Sequence, residues 1–282
     1  MCGLCGFTGE IVDRDAVLEN MTEVITHRGP DSKGFYTDDK ISMGFRRLSI
    51  IDLDNGSQPI YNEDKTLVLM FNGEIYNYKQ LRKELQEKGH VFATDTDSEV
   101  LVHGFEEWRE DLLNRLRGMF GFAIWNRTDE SLFIARDFFG IKPMHYTQVG
   151  GHFLYASEIK SILKFPGFEK KFNYRTLDNY LSFQYAVPPE TFFEGVYCLL
   201  PGHYLWYRDG KVETTRYWEA RFNPDESLTE EQAVDEIEKV FEESVNAHKI
   251  SDVEVGCFLS SGVDSSYVST YFADQKTFTV GF

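Results

Sequence analysis

Two kinds of pattern alternate along residues 1–210 of the chain. Apolar runs that end in turn residues predict strands, and they include CGFTGEIV, ISMGFRRLSIID, TLVLMFNGEI and GHFLYASE. MFGFAIWNRTDESLFIARD predicts two strands joined by a polar turn at 127–130, and further strands are predicted within 203–217. Apolar residues at helical spacing predict helices in DRDAVLENMTEVITHRG, with Asp13 as N-cap, in NYKQLRKELQEKGH and in DSEVLVHGFEEW. Many strands with inserted helices indicate a layered α+β domain.

The pattern changes in the last part of the chain. VEVGCFLSSGVDSSYVSTYFADQKTFTVGF predicts a strand, a Gly/Ser loop, a helix and a second strand, which together open a parallel α/β sheet. One such unit cannot bury both faces of its sheet, so we expect the second domain to be truncated in this sequence. The predicted division is a first domain at 1–210 and, at 211–282, a linker with the first βαβ part of a second domain. A long amphipathic helix is predicted ahead of this βαβ part, from PDESLTEEQAVDEIEKVFEESVNAH. Its inward positions are Val234, Ile237, Val240, Phe241 and Val245.

Composition narrows the possible partners. The chain has 282 residues, 42% of them hydrophobic, and a formal net charge of −17. Because so acidic a chain repels phosphate backbones and anionic lipid, we expect neither a nucleic-acid nor a membrane partner. The first residues lack the apolar segment of a secretory signal, and no apolar run reaches the length of a membrane span. We therefore expect a cytoplasmic protein with reduced thiols.

The opening MCGLCG places cysteines at positions 2 and 5, and three explanations stay open for them. A zinc site usually needs four ligands, but Cys198 and Cys257 stand alone in the sequence. A redox CxxC pair belongs at an internal strand–helix junction. As a nucleophile, Cys2 would gain a free α-amine once Met1 is removed. The thiol pKa of about 8.5 and the amine pKa of about 7.7–8.0 are close enough for the amine to take the thiol proton.

Further motifs accompany Cys2 in a fixed order. MCGLCG, HRGPDSKG, RRLSIID, FNGEIYNY and TDTDSEV together resemble the glutaminase domain of class II glutamine amidotransferases, and the asparagine synthetase family in particular. ARDFFGIKPMHY and YASEIKSIL strengthen the resemblance. It implies the N-terminal-nucleophile (Ntn) fold, a layered sandwich of antiparallel sheets flanked by helices. It also implies that Cys2 is the nucleophile that attacks the side-chain amide of glutamine.

The same resemblance implies roles for five other residues. The Asn72 side-chain amide and the Gly73 backbone N–H would form the oxyanion hole, and Arg47 would clamp the α-carboxylate of glutamine. Asp97, with Glu74 or its backbone, would bind the α-ammonium. Each signal also has an ordinary explanation, such as surface charge, a turn or a helix cap. Their occurrence together and in order favours the site.

Other residues near these motifs receive smaller roles. His27 and Arg28 are expected to close or support the glutamine pocket. Cys5 is expected to be a small buried residue, and Cys198 and Cys257 are expected to pack in the interior.

The stretch FLSSGVDSS, at 258–266, predicts a second site. It is not a Walker A loop, because it has no Gly-Lys-Ser/Thr ending. It resembles the pyrophosphate-binding loop of ATP pyrophosphatases, with Ser261 where a glycine is common. A strand that leads through such a loop into a helix presents backbone amides to an anion. The positions that this resemblance assigns to ATP are Leu259, Ser260, Ser261, Gly262, Asp264, Ser265, Ser266 and Val280.

These resemblances imply a glutamine-dependent asparagine synthetase. It would hydrolyse glutamine at Cys2 and pass ammonia to an aspartate carboxylate activated by ATP and Mg²⁺, giving asparagine, glutamate, AMP and pyrophosphate. The alternatives are a relative that amidates another carboxylate, and a non-catalytic binding module. ATP and Mg²⁺ serve only the synthetase half, and the sequence does not identify metal ligands. A homodimer is a further expectation from the family.

Overall fold

The computed structural model describes residues 1–53, 55–272 and 275–281, which fall into two compact units. The larger unit comprises residues 1–49 and 54–219, and the smaller one comprises 50–53 and 220–282. The strands of the larger unit are β1 (Gly3–Thr8), β2 (Ser32–Thr37), β3 (Ile41–Arg47), β4 (Ile60–Tyr61), β5 (Leu67–Ile75), β6 (Gly118–Asn126), β7 (Ser131–Arg136), β8 (His145–Val149), β9 (His152–Ala156), β10 (Tyr197–Cys198), β11 (His203–Arg208) and β12 (Lys211–Arg216).

These strands form two six-stranded antiparallel sheets. The first has the order β10-β8-β9-β1-β3-β2, and the second has the order β12-β11-β7-β6-β5-β4. Helices accompany the sheets, and 3₁₀ turns lie at Thr26–Arg28 and Arg109–Arg115. The helices of this unit are α1 (Arg14–Glu23), α2 (Tyr78–Glu87), α3 (Glu99–Trp108), α4 (Ile159–Ile162) and α5 (Tyr174–Phe183).

The main core lies between the two sheets. Leu4 and Phe45 from the first sheet pack in one cluster with Met70, Trp125 and Ile134 from the second. Alternation along β1 sends the remaining side chains to the opposite face, where a second cluster forms against α1 and α4. Helix α3 packs against β4 and β5 of the second sheet. The predicted layered α+β sandwich is therefore confirmed.

Cys5 occupies the second of these clusters and is fully buried, as predicted. The alternation that buries Cys5 beneath α1 turns Leu4 toward the other sheet. Cys2 packs against the same inter-sheet cluster as Leu4. The strand pattern thus explains why the two cysteines of MCGLCG lie on opposite faces.

Three local predictions need correction. The strand predicted from ISMGFRRLSIID ends at Arg47, where pairing with β2 stops. Asp13 precedes α1 but makes no side-chain cap, because its backbone adopts the left-handed conformation with φ 55°. The division predicted at residue 210 falls inside a hairpin: β12 pairs with β11, so the larger unit extends to Glu219.

The smaller unit contains the predicted parallel strands and helix. Its elements are α6 (Glu230–Ala247), β13 (Cys257–Phe258), α7 (Val263–Thr270) and β14 (Thr277–Phe278). β13 and β14 pair in parallel, and α6 begins with a capping box between Thr229 and Gln232. A small apolar cluster contains Val245, Cys257 and Phe272.

The inward face predicted for α6 is wrong over the first part of the helix. Val234, Ile237 and Val240 are 56%, 65% and 63% exposed, whereas Val245 is buried and Phe241 packs against the small cluster. The amphipathic pattern identified the helix correctly. Within the part of this unit that the structure describes, apolar partners are available only near the helix's C-terminal end. Across the described residues, none of the helices combines the length and apolar character that a membrane crossing requires.

Candidate active site

Cys2 lies immediately before β1. Its Sγ accepts a hydrogen bond from Leu48 N at 3.3 Å and lies 3.5 Å from Leu48 O. Burial raises the pKa of the thiol above its ordinary value, although the Leu48 N–H and the positive charge of Arg47 act in the opposite direction. In this form of the chain the neutral thiol is favoured, so a base is needed to generate the nucleophile.

The chain described here retains Met1, so the terminal amine belongs to Met1. Burial and the nearby charges of Lys142 and Arg28 lower the pKa of this amine, while Cys2 raises it. Met1 is 57% exposed. Its removal would transfer the free amine to Cys2, within the same group of positive charges.

The segment HRG supports the backbone of Cys2. Arg28 Nε donates a hydrogen bond to Cys2 O at 2.8 Å, and Arg28 Nη1 donates to Glu158 Oε1 at 3.0 Å. His27 Nε2 lies 2.8 Å from the same Glu158 oxygen. The Glu158 carboxylate therefore joins two motifs that are far apart in sequence, HRGPDSKG and YASEIKSIL. This arrangement fits a supporting role for Arg28 better than a role in closing the pocket.

Asn72 and Gly73 lie side by side on β5, paired with β6. Asn72 is 1% exposed, and its Nδ2 makes no hydrogen bond within the residues that the structure describes. A buried amide without an acceptor costs free energy, and such a group in a native site usually has a function. The backbone at Gly73 is packed so closely that an added Cβ would lie 2.1 Å from Met119 O. Glycine is therefore required where the predicted oxyanion hole lies.

Two carboxylates lie close to each other near these residues. Asp97 is almost fully buried, and its Oδ2 accepts a hydrogen bond from Ile75 N at 2.8 Å. Burial and the charge of Asp97 raise the pKa of Glu74 to about 8, and burial raises the pKa of Asp97 to about 6. Two acids that resist ionisation together would be stabilised by a cation placed between them. The α-ammonium of an amino acid is such a cation.

Arg47 is the last residue of β3 and is 7% exposed. It immediately precedes Leu48, whose backbone contacts the Cys2 sulfur. The positive charge of Arg47 lowers the pKa of the Cys2 thiol, whereas the charge of Glu74 raises it. A guanidinium here is suited to a carboxylate, because its donors match the two oxygens of that group. The residues that the sequence assigned to glutamine binding thus lie on β3, β5 and the segment before α3.

Lys142 is a residue to which the sequence analysis gave no role. It is 4% exposed, and its Nζ lies 3.3 Å from Met1 Sδ. Burial lowers the pKa of the ammonium, while Glu74 and Cys2 raise it. Its motif, ARDFFGIKPMHY, was visible in the sequence, but nothing in the sequence placed the lysine beside the N-terminus.

Arg136 and Asp137, from the motif ARDFFGIKPMHY, form hydrogen bonds with the loop that contains Lys142. Asp137 Oδ2 accepts from Lys142 N at 2.9 Å, and its Oδ1 accepts from Ile141 N at 2.9 Å. Arg136 Nε donates to Lys142 O at 2.7 Å, and its Nη2 donates to Gly140 O at 2.7 Å. The short loop after β7 is therefore held on both sides by side chains of its own motif.

The serine-rich loop of the smaller unit has its own organisation. Gly262 caps α7 without a side-chain hydrogen bond, and Ser265 Oγ lies 2.8 Å from Ser260 Oγ. Leu259 N donates to Phe278 O at 2.9 Å, so the loop starts where β13 leaves its partner. The exposed hydroxyls and the helix N-terminus fit a polyphosphate. The predicted positions Ser261, Gly262, Asp264 and Ser266 lie in this loop and first turn, and Val280 follows β14.

Comparison with known proteins identifies the family of the larger unit. A family model described as a glutamine amidotransferase domain matches residues 1–218. The chain belongs to this amidotransferase family. A second model, described as asparagine synthase, matches residues 236–282.

The amidotransferase is similar to two curated relatives from Bacillus subtilis (strain 168). It is 41% identical to asparagine synthetase [glutamine-hydrolyzing] 1 over 292 residues, which cover 99% of this chain and 46% of the relative. It is 38% identical to asparagine synthetase [glutamine-hydrolyzing] 2, covering 99% of this chain and 40% of that relative. The chain therefore spans a little under half the length of these relatives.

A solved structure confirms the fold. Glutamine phosphoribosylpyrophosphate amidotransferase from B. subtilis matches with a TM-score of 0.58 and 17% identity, covering 99% of this chain and 65% of that one. The chain is thus a class II glutamine amidotransferase with the Ntn fold, followed by the start of an asparagine synthase domain.

Proposed function

We propose that the larger unit hydrolyses glutamine at Cys2 and that the whole protein uses the ammonia to make asparagine. The observation that carries the first part is the position of the Cys2 thiol, which lies within electrostatic reach of Arg47, Lys142 and Glu74, in the unit that also holds the buried, unpartnered Asn72 amide. The names of the curated relatives support the second part.

In the proposed reaction, the α-amine of Cys2 takes the thiol proton, and the sulfur attacks the side-chain carbonyl carbon of glutamine. Negative charge develops on the carbonyl oxygen, where Asn72 Nδ2 and the Gly73 N–H donate to it. Return of the proton to the leaving nitrogen releases ammonia and leaves a glutamyl thioester. Water then hydrolyses the thioester to glutamate and restores the thiol.

Glutamine is held in this proposal by its two charged ends. Arg47 binds the α-carboxylate, and Asp97 with Glu74 binds the α-ammonium. The raised pKa values of the two acids support this arrangement, because the cation of the substrate offsets the repulsion between them. Binding both ends fixes the side-chain amide at the sulfur, which supplies much of the rate by orientation.

For the smaller unit, we infer that the loop from Leu259 to Ser266, with Val280, binds ATP. ATP with Mg²⁺ supplies the activation of the acceptor carboxylate, which is aspartate in this proposal. The chain's own contribution would be the helix N-terminus at Gly262 and the hydroxyls of Ser260, Ser265 and Ser266, which would turn from their present partners within the loop to phosphate oxygens. The same loop would serve a relative that amidates a different carboxylate.

The deciding experiment measures glutamate and ammonia released from glutamine by the chain, by Cys2→Ala and by Cys257→Ala. Cys257 lies in the smaller unit and makes a matched control. We expect activity in the wild type and in Cys257→Ala and none in Cys2→Ala. Equal release by Cys2→Ala and the wild type would show that Cys2 is not the nucleophile and would contradict the proposal. Product analysis of the whole protein with aspartate and other carboxylates tests the acceptor.

A further inference from the structure

A second cluster of titratable side chains lies in the larger unit and takes no part in the proposed glutaminase chemistry. Glu63 lies between β4 and β5, His90 follows α2, and His103 and Glu106 lie on α3. One ligand atom from each of these four residues lies within 4.8 Å of the others. The fold therefore gathers two imidazoles and two carboxylates from three separate segments.

His103 is the most informative member of this cluster, because it is fully buried. Its Nδ1 makes no hydrogen bond within the described part of the chain, although Glu63 Oε2 is only 3.2 Å away. Two such atoms that are close but not aligned for a hydrogen bond suit a shared third centre. Ligand atoms on a tetrahedral Zn²⁺ with bonds of about 2.0–2.1 Å are about 3.4 Å apart.

The opposite nitrogen of the His103 ring is held by a fixed carboxylate. His103 Nε2 lies 3.3 Å from Glu99 Oε1. Glu99 is itself buried and accepts hydrogen bonds from Ala93 N at 2.6 Å and from Thr94 N at 2.7 Å. A carboxylate that orients a ligating histidine in this way is a regular feature of metal sites. Because Nε2 of His103 faces Glu99, Nδ1 is the ring nitrogen available to a metal ion.

His90 repeats the same arrangement on the other side of Glu63. Its Nδ1 lies 3.2 Å from Glu63 Oε1, and its Nε2 lies 3.7 Å from Glu107 Oε2. Glu63 therefore faces the Nδ1 atoms of both imidazoles, and each ring has a second carboxylate behind it. A cavity of about 520 Å³ is lined in part by Glu63 and Glu99 and lies beside this cluster.

We propose that Glu63, His90, His103 and Glu106 form a structural Zn²⁺ site. Two imidazole nitrogens and two carboxylate oxygens are a suitable tetrahedral ligand set for this ion. Glu106 is exposed, and its Oε2 accepts a hydrogen bond from Asn62 Nδ2 at 3.1 Å, so this carboxylate already lies beside the other three ligands. The ion ties the β4–β5 connection and the end of α2 to α3. Because α3 begins two residues after Asp97, the site anchors the helix that follows the proposed α-ammonium pocket.

The test measures Zn²⁺ binding to the chelator-treated chain by isothermal titration calorimetry. Cys2→Ala is used as the parent, so that the thiol at the N-terminus contributes no competing ligand. We expect one Zn²⁺ per chain, bound at micromolar concentration or tighter, together with a higher melting temperature. An absence of Zn²⁺ binding by the folded parent would overturn the proposal.

Variants locate the ion without replacing the buried histidine. Glu63→Gln and His90→Gln each remove a ligand, so we expect the affinity for Zn²⁺ to fall by about 100-fold or more. Glu99→Gln removes the carboxylate that orients His103, so we expect the affinity for Zn²⁺ to fall by about 10–100-fold. Glu87→Gln at an exposed position and His203→Gln at a partly exposed position, both outside the cluster, are the matched controls and should bind as the parent does. Binding that is unchanged in both ligand variants would contradict the proposal.

Cobalt substitution tests the geometry independently. Co²⁺ in a tetrahedral site of nitrogen and oxygen ligands absorbs visible light strongly, and in an octahedral site it absorbs weakly. We expect the strong spectrum in the parent and its loss in His90→Gln. A weak octahedral spectrum in the parent would overturn the closed four-ligand site.

Discussion

Arg28 Nε donates a 2.8 Å hydrogen bond to the backbone oxygen of Cys2, the residue that carries the proposed nucleophile. The same guanidinium is held by Glu158 through Nη1 at 3.0 Å. Arg28 therefore positions the end of the chain relative to β9 and α4, between which Glu158 lies. An N-terminal nucleophile needs such an anchor, because it has no preceding chain to hold it once Met1 is gone.

Replacing Arg28 by Lys should lower glutaminase kcat/KM by about tenfold or more, because a small displacement of a nucleophile is costly. Lysine retains the charge but cannot reach Cys2 and Glu158 with two separate nitrogens. The measurement is steady-state glutaminase kinetics. Arg175→Lys, on an exposed position of α5, is the control and should leave kcat/KM unchanged. Equal rates for the two variants would contradict the anchoring role.

Replacing Asn72 by Ala should lower kcat about 10²–10³-fold with a smaller effect on KM, since the amide is expected to act on charge that develops in the transition state. The buried Nδ2 has no hydrogen-bond partner among the described residues, so removal of this atom breaks no hydrogen bond, and the expected loss of stability is that of the cavity left behind. Kinetics and thermal denaturation are measured together. Asn114→Ala, at an exposed position, is the control. A main effect on KM would argue for ground-state binding instead.

Replacing Gly73 by Ala should destabilise the protein by about 1–3 kcal/mol, because the new methyl group would lie 2.1 Å from Met119 O and must force β5 and β6 apart. Urea denaturation measures this loss. Gly89→Ala provides the contrast: the space beside Gly89 is open, but its backbone has φ 103°, so its cost is conformational rather than steric. We expect Gly73→Ala to lose glutaminase activity and Gly89→Ala to keep it. Full activity in Gly73→Ala would contradict the close packing at the oxyanion hole.

The stability of the substrate-free protein should fall as pH rises from about 4.5 toward 8. Burial and the charge of Asp97 raise the pKa of Glu74 from 4.5 to about 8, so across this interval the folded state holds a proton that the unfolded chain releases. Melting temperatures measured at pH 5.5 and 8.5 test this. Glu74→Gln should show a smaller fall, whereas the exposed Glu87→Gln should behave as the wild type.

Glutamine should reverse this pH dependence. Its α-ammonium stabilises the ionised acids, so stabilisation by glutamine should be larger at pH 8.5 than at pH 5.5, and binding should release protons. Calorimetry in buffers of different ionisation enthalpy measures that release. Uptake of protons on binding would show that Glu74 and Asp97 do not contact the α-ammonium.

Much of the fold was predictable because local patterns and tertiary packing agree. The turn at 127–130 joins β6 and β7 as predicted, and α2 and α3 begin one and two residues after the first residues of their predicted segments, Asn77 and Asp97. The face of α6 was not predictable. The periodicity of α6 predicts an apolar face on the helix. It does not identify the residues that this face packs against, or whether they belong to the described part of the chain.

The candidate site was predictable only where a motif implies a role. Cys2, Asn72 and Asp97 were named from their motifs, whereas the placement of Lys142 beside Met1 depends on a contact between residues 141 positions apart. Glu158 likewise reaches Arg28 across 130 positions. Such contacts follow from sheet topology, and no local propensity encodes them.

The account rests on Cys2 as an N-terminal nucleophile that uses its own amine. The most direct measurement treats active protein with a diazoketone analogue of glutamine and follows intact mass, peptide fragments and residual glutaminase activity together. We predict that active chains begin at Cys2 without Met1, that one label attaches to the Cys2 sulfur, and that activity falls in proportion to labelling. Active protein that retains Met1, or a label on any other residue, would contradict the account.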